Sequence, residues 1–350
     1  MADPSPPGTA LLAGLEPTPD APTTSRRRRW WRLVALILGL ALVLGAGGTA
    51  GAAWLYTRSV DKSIERVDAF VGVPEESRPE KVAGKALNLL IVGSDSRDPD
   101  LAGSRTDTII LAHVSAGRED AQFISIPRDT WVDVPRSADG RSGGRKAKIN
   151  AAFAWGGPPL LVRTVESFTG VRVDNVMLVD FAGFTDVVDA LDGVDIAVDE
   201  DFTSVHPPNR RFTTGEHHMD GDTALDYARQ RYQFTDGDFT RMRHQQQLVQ
   251  AVIARAADKG LLTDPVRLNK FIRSTADAVT VDKGMKLFDT VWGLRGLRPD
   301  NMTFMTSPSR DTGWVGDQSV VFADEDASRS LYEAVRDDGM TDWLIENPQE

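Results

Sequence analysis

The sequence predicts an α/β protein, a sheet covered by helices on both faces and reached through one membrane anchor. Three observations carry this. Apolar segments of strand length alternate with helix-period segments from residue 86 to the C-terminus. A wholly uncharged run, 33–56, precedes them. No Gly/Ser linker and no internal repeat divides the chain beyond residue 85, so 86–350 counts as one domain.

At about 1.5 Å per residue the uncharged run spans the roughly 30 Å of bilayer hydrocarbon. Trp30, Trp31, Trp54 and Tyr56 bracket it as interfacial aromatics do. Residues 1–32 are rich in Pro, Ala, Thr and Ser and end in Arg26, Arg27, Arg28, Arg29 and Arg32, the composition of a disordered basic tail. The arginines ahead of the span, against a mixed Arg58, Asp61 and Lys62 behind it, put that tail in the cytoplasm and the rest of the chain outside. A cleaved signal peptide is the alternative, for which the apolar run is long. Residues 57–85 read as a stalk.

Removing the five basic and three acidic residues through Arg32 from totals of 40 and 51 leaves 35 and 48, a net charge of −13. That balance argues against a nucleic-acid partner. Cysteine is absent, so thiol catalysis and disulfides are excluded. There is no phosphate-loop Gly-Lys-Ser/Thr. The histidines form no metal-binding pattern: His217 and His218 are adjacent and point apart, and His113 and His206 stand alone.

Within the domain, 86–92, 108–114 and 122–126 are buried-strand segments. The short polar turn 115–120 joins the second to the third as a hairpin. Antiparallel pairing puts the start of one strand and the end of the next at one sheet edge. Asp107 lies at that start, and Arg128 just past that end. If the first strand is also antiparallel to the second, Asp95 joins them. Helical patterns cover 158–168, 181–191, 223–228, 239–257, 265–279, 285–294 and 327–335, with strands at 175–179, 194–198 and 301–306.

Six charged residues then form a candidate diphosphate site. Asp95 and Asp107 repel one another if they converge, and a hard cation such as Mg²⁺ relieves that. Arg128, Arg229, Arg231 and Arg241 can grip phosphate oxygens in bidentate fashion. Arg229 and Arg231 share a face only if the helix ends near Ala228 and the chain runs extended. Asp238 reads as the N-cap of the helix 239–257. Arg241 then stands in its first turn, where a cation opposes the helix dipole by a few tenths to ~1 kcal/mol unless an anion is close. Gln245 lies one turn on. For each alone, ordinary loop, capping or surface roles are the competing explanation.

The stretches LLIVGSDSR, RTDTIIL, SIPRDT, KINAAFAWGGP, VDFAGF, MDGDTALDYARQR and GDFTRMRHQQ, in this order over about 87–250 and behind one anchor, resemble the LytR-CpsA-Psr family. The resemblance implies an α-β-α sandwich with a mixed central sheet. It implies a transferase that moves a glycopolymer phosphate from a polyprenyl diphosphate donor to a peptidoglycan hydroxyl beside the membrane lipid. It implies Mg²⁺ (or Mn²⁺) at Asp95 and Asp107, and diphosphate contacts at Arg105, Arg128, Arg229, Arg231 and Arg241, with Gln245 nearby. Lys148 falls in the family's Lys-Ile-Asn stretch, as a substrate-binding position. His244 stands where an arginine is common, which weakens part of the expected anion grip. The segment 134–145 is longer than usual, an expected acceptor-recognition loop. Phe153, Phe181, Phe184, Val187, Val188 and Leu191 are candidates for a lipid tunnel, although plain core explains most of them. A polyprenyl diphosphate hydrolase and a non-enzymatic, membrane-anchored envelope regulator are the alternative readings.

Overall fold

A computed structural model describes residues 64–94, 106–261 and 263–348. The tail and anchor expected at 1–56, and also Asp95 and Arg105, lie outside the described residues. Among the described residues no helix is long and apolar enough to cross a membrane.

The elements in chain order are strand β1 (Glu65–Val67), β2 (Leu87–Ser94), β3 (Thr106–Val114), β4 (Ala121–Ser125), β5 (Trp131–Val134) and β6 (Arg145–Lys148), then helix α1 (Ile149–Thr169). Next come β7 (Asn175–Asp180), α2 (Phe181–Ala190), β8 (Val194–Val198), β9 (Phe202–Thr203), β10 (Arg211–Phe212), β11 (Gly215–Met219), α3 (Gly221–Arg229) and α4 (Gly237–Asp258). The chain continues through α5 (Pro265–Ser274), β12 (Val279–Asp282), α6 (Leu287–Gly293), β13 (Met302–Thr306), β14 (Ser309–Val315), β15 (Gln318–Ala323), α7 (Glu325–Arg336) and α8 (Met340–Glu346).

Seven strands form the central sheet in the order β1-β12-β7-β2-β3-β4-β13. Strand β2 is antiparallel to β3 and parallel to β7, β3 is antiparallel to β4, and β13 is parallel to β4. The sheet is therefore mixed, and the carboxyl ends of β2, β4, β7 and β13 meet the start of β3 along one edge. Both halves of the expected three-strand arrangement hold.

The sandwich arises from the two-residue period of the strands. Leu90, Val92, Ile109, Leu111 and Ile124 face one way and bury against α1 and α7 through Leu161, Val165, Leu331 and Val335. Leu89, Ile110, Ala112 and Phe123 face the other way, against Leu268 and Ile272 of α5 and Leu287 and Phe288 of α6. Each fully buried side chain of this size contributes about 1.5–3 kcal/mol. A third cluster joins α2, α3, α4 and β8 through Val188, Ile196, Tyr227 and Leu248.

Several expectations need correction. The segment 57–85 is not wholly a stalk: β1 pairs with β12 at the sheet edge, Ile64 and Ala69 are buried, and Arg78 donates to Glu166 at 2.7 Å. Helix 265–279 stops at Ser274, because the β-branched run Val279, Thr280, Val281 pairs with β7 instead. Strand β8 leaves the central sheet and pairs with β11. Helix α1 starts at Ile149, before Pro158, and breaks at Gly156 and Gly157. Gly157 there takes φ 61°, ψ −158°, a conformation only glycine adopts readily. The tunnel candidates fall in different clusters: Phe153 in the first, Leu191 in the second, and Val188 with Phe184 in the third. The Phe181 side chain lies outside the description.

His244 is buried in that third cluster, stacked 4.1 Å from the Tyr227 ring and donating through Nδ1 to the Tyr227 carbonyl at 3.2 Å. Burial holds its pKa down to about 4 from 6.5. It is therefore a neutral core residue and no part of an anion grip. Because the native imidazole binds its proton less tightly than the unfolded one, its contribution is present above pH 6.5 and lost as pH falls from 6.5 to about 4. His244→Phe keeps the stack and removes the titration. Between pH 6.5 and 4, urea melts of the wild type are expected to lose roughly 3 kcal/mol more than those of the variant. Parallel losses in both proteins would contradict the assignment.

Candidate active site

The candidate site is assembled where the chain leaves one sheet edge and re-enters at α4. Asp107 is the second residue of β3, and Arg128 follows β4 and Pro127 in the turn before β5. The hairpin register carries them together, and Arg128 Nη1 donates to Asp107 Oδ1 in a very short ion pair. Arg241 Nη1 lies 4.0 Å from the same oxygen.

Asp238 has a different role from the cap its sequence position suggests. Helix α4 starts at Gly237 with Asp236 at the N-cap, so Asp238 stands inside the first turn. A carboxylate there is favoured by the helix dipole. Its Oδ1 lies 2.7 Å from Arg231 Nε, 3.0 Å from Arg241 Nη2 and 3.9 Å from Arg128 Nη2. One acid thus gathers three guanidiniums. The cue in the sequence is the Asp238–Arg241 spacing of i, i+3, which puts both on one helix face. On the far side Lys148 Nζ pairs with Asp129 Oδ1 at 3.1 Å, and Arg128 Nε lies 4.0 Å from Asp129 Oδ2.

Arg229 is the last residue of α3 and is exposed, and Gln230 turns the chain extended at ψ 137° before Arg231. The helix therefore ends one residue later than expected. Arg231 reaches Asp238. Gln245 sits half-buried on α4, one turn beyond Arg241. Asp95 follows Ser94, whose backbone pairs with Thr106, and Arg105 precedes Thr106. The structure does not describe either side chain.

Electrostatics show an excess of cation. Burial acts to lower the pKa of Arg128, but Asp107, Asp238 and Asp129 outweigh it and raise the net value. Arg241, only 9 % exposed, is lowered first by burial and then by the neighbouring Arg128 charge, despite Asp238 and Asp107. Arg128, Arg231, Arg241 and Lys148 face three carboxylates. The buried Nε atoms of Arg128 and Arg241, and the hydroxyl of Thr106, have no hydrogen-bond partner among the described residues. Asp238 Oδ1 likewise makes no aligned hydrogen bond despite its 2.7 Å separation from Arg231, so its contacts are ion pairs by distance and not well-directed hydrogen bonds. Donors buried in this state suit an incoming multivalent anion.

Among the described residues no three His, Cys, Asp or Glu side chains cluster as a metal site. A cation here would take one or two carboxylates and complete its shell with phosphate oxygens and water. That is the habit of Mg²⁺, and Asp107 is a suitable ligand.

The chain matches the model of the LytR_cpsA_psr family over residues 57–337. It is 34% identical over 236 residues to the polyisoprenyl-teichoic acid–peptidoglycan teichoic acid transferase TagU of Bacillus cereus, covering 66% of this chain and 74% of the relative. It is 30% identical over 290 residues to TagV of Bacillus subtilis, another protein named as such a transferase, covering 80% of this chain and 72% of the relative. The crystal structure of B. subtilis TagV superposes with a TM-score of 0.63 at 25% identity, covering 75% of this chain and 98% of that one. The mixed α-β-α sandwich and the match across nearly the whole described chain place this protein in the LytR-CpsA-Psr family.

Proposed function

We propose that this chain transfers a glycopolymer phosphate from a polyprenyl diphosphate donor to a peptidoglycan hydroxyl. The observation that carries the reading is the gathering of Arg128, Arg231 and Arg241 on Asp238, with guanidinium Nε atoms left buried and unpartnered. The names of the TagU and TagV relatives support the same reaction class.

In this reaction a sugar hydroxyl oxygen attacks the glycan-side phosphorus. The bond from that phosphorus to the bridging oxygen breaks, and polyprenyl phosphate leaves with the electron pair. Negative charge grows on the bridging and equatorial oxygens, where guanidiniums stabilise it. Arg128 and Arg241 hold the diphosphate from the sheet edge and the helix, and Arg231 closes the third side. Arg105 and Arg229 are proposed as further diphosphate contacts, and Lys148 and Gln245 as substrate-binding positions. The hydroxyl proton passes to water beside Asp107, the most exposed of the three acids at 27% against 19% for Asp238 and 15% for Asp129. Asp107 with Asp95 would hold Mg²⁺ or Mn²⁺, which when bound supplies further neutralisation of the diphosphate.

The span 33–56 is proposed as a single-pass anchor, with the tail cytoplasmic and the transferase domain outside beside the membrane lipid. The chain has no cysteine, so one can be introduced at each end. In intact cells, an impermeant maleimide is expected to label Ser319→Cys and to label Ser5→Cys only after permeabilisation. The reverse pattern contradicts the topology.

Arg128→Ala and Arg231→Ala are each expected to lower transfer at least about 10²-fold while the far-UV spectrum stays native. Full activity in either purified variant refutes the assignment. Asp238→Asn leaves three guanidiniums in mutual repulsion and is expected to cost about 3 kcal/mol in denaturant melts at low salt. Added inorganic diphosphate should restore part of that loss. A variant as stable as the wild type, or indifferent to diphosphate, rules out the role of Asp238 as their anchor.

A further inference from the structure

A second concavity adjoins the arginine cluster. It is a cleft of about 790 Å³ between the β5–β6 hairpin, the end of α1, the β14–β15 ribbon and α7. That is the size of a site for a ligand of several hundred daltons. Its walls mix Trp131, Phe168 and Phe322 with four basic side chains, Arg310 among them, and three acidic ones, Asp133, Glu325 and Glu333.

The two sites are lined by neighbouring residues of the same segments, although no residue lines both. Asp129 and Val321 line the crevice that holds Arg128, Asp238 and Arg241, whereas Trp131 and Phe322 line the cleft. Thr130 bridges Val321, and the Asp129 carbonyl accepts from the Val321 amide at 2.9 Å. Lys148, paired with Asp129, is the cross-strand partner of Trp131, and Lys146 is the partner of Asp133. Ala147 and Val132 point into the core, so Trp131, Asp133, Lys146 and Lys148 share the opposite face of the hairpin. That face runs from the reacting centre into the cleft.

Arg310 distinguishes the cleft from an ordinary charged surface. Lys146 has Asp133 at 3.9 Å, Arg329 has Asp326 at 3.0 Å and Arg336 has Asp337 at 2.9 Å. Arg310 has no carboxylate partner among the described residues and is exposed. The β14–β15 register skips it, pairing Ser309 with Ala323 and Asp311 with Phe322. A bulge of this kind re-aims one side chain out of the alternation.

We propose that this cleft is the acceptor subsite, holding a peptidoglycan saccharide whose peptide carboxylate is read by Arg310. The proposal rests on the transferase reading above and names where its acceptor sits. Aromatic faces suit the apolar faces of sugar rings, and a guanidinium without an internal partner suits an incoming carboxylate. The donor's diphosphate is held by the neighbouring arginine cluster, so an acceptor in the cleft approaches along the hairpin face that bears Lys148.

The test uses the full chain and a soluble disaccharide-tetrapeptide fragment of peptidoglycan, with binding measured by calorimetry in the absence of donor. Wild type is expected to bind it, and Arg310→Ala to bind at least tenfold more weakly. Amidation of the fragment's carboxylates should weaken binding to wild type to a similar extent. Arg128→Ala should bind the fragment like wild type, which separates this subsite from the diphosphate site. In transfer assays Arg310→Ala should raise the KM for acceptor and leave the KM for donor unchanged. The proposal is overturned if wild type does not bind the fragment, if Arg310→Ala binds it equally well, or if the donor KM rises instead. An inactive Arg128→Ala beside an unaffected Arg310→Ala would retain the transferase reading and reject this subsite. A fully active Arg128→Ala would reject the reading itself, whatever the binding result.

Discussion

The site depends on a single carboxylate held at a helix start. Asp238 lies in the first turn of α4, where unsatisfied amides favour negative charge, and its Oδ1 faces Arg231, Arg241 and Arg128. Without that acid, three guanidiniums at this separation would repel one another. With it they stay close and still retain donors free of hydrogen bonds. A structural ion pair would satisfy its partners more completely. In the proposed reaction, this incomplete satisfaction leaves donors for an incoming diphosphate.

The sheet supplies the rest of the geometry. Strands β2, β4, β7 and β13 end along the edge where β3 begins, and open α/β sheets hold their ligands beyond the carboxyl ends of their strands. Helix α4 reaches the same edge with its positive end. Aliphatic residues on both strand faces bury against helices and fix the register, so Asp107 and Arg128 cannot slide apart without turning core residues to solvent. Precision in the polar cluster is thus inherited from packing in the apolar layers.

Much of this is legible in the sequence. The polar turn 115–120 between two apolar runs is enough to bring Asp107 and Arg128 together, because hairpin register is local. The unfavourable placement of Arg241 near a helix start points to an anion. Less legible are pieces whose partners lie far along the chain. Glu65–Val67 is a short strand that becomes recognisable only beside β12, more than two hundred residues later. The expected helix runs on to Val279, the first residue of β12, because the alternation of that strand is brief, and pairing with β7 decides it. Asp238 resembles a cap because caps and first-turn acids share residue types, and a one-residue shift of the helix start separates them. The resemblance alone gives His244 as a gap in an anion grip, and only the surrounding Phe202, Tyr227 and Phe234 rings show it to be core. Nothing in the strand pattern of 309–323 marks Arg310, since a bulge is a property of the pair and not of either strand alone.

The most direct measurement is the structure of the full chain with a polyprenyl diphosphate bound. The diphosphate oxygens are expected within hydrogen-bond reach of Arg128, Arg231 and Arg241, and the Nε atoms of Arg128 and Arg241 are expected to gain acceptors. A headgroup bound elsewhere, with the Asp238 cluster closed and unchanged, contradicts the account.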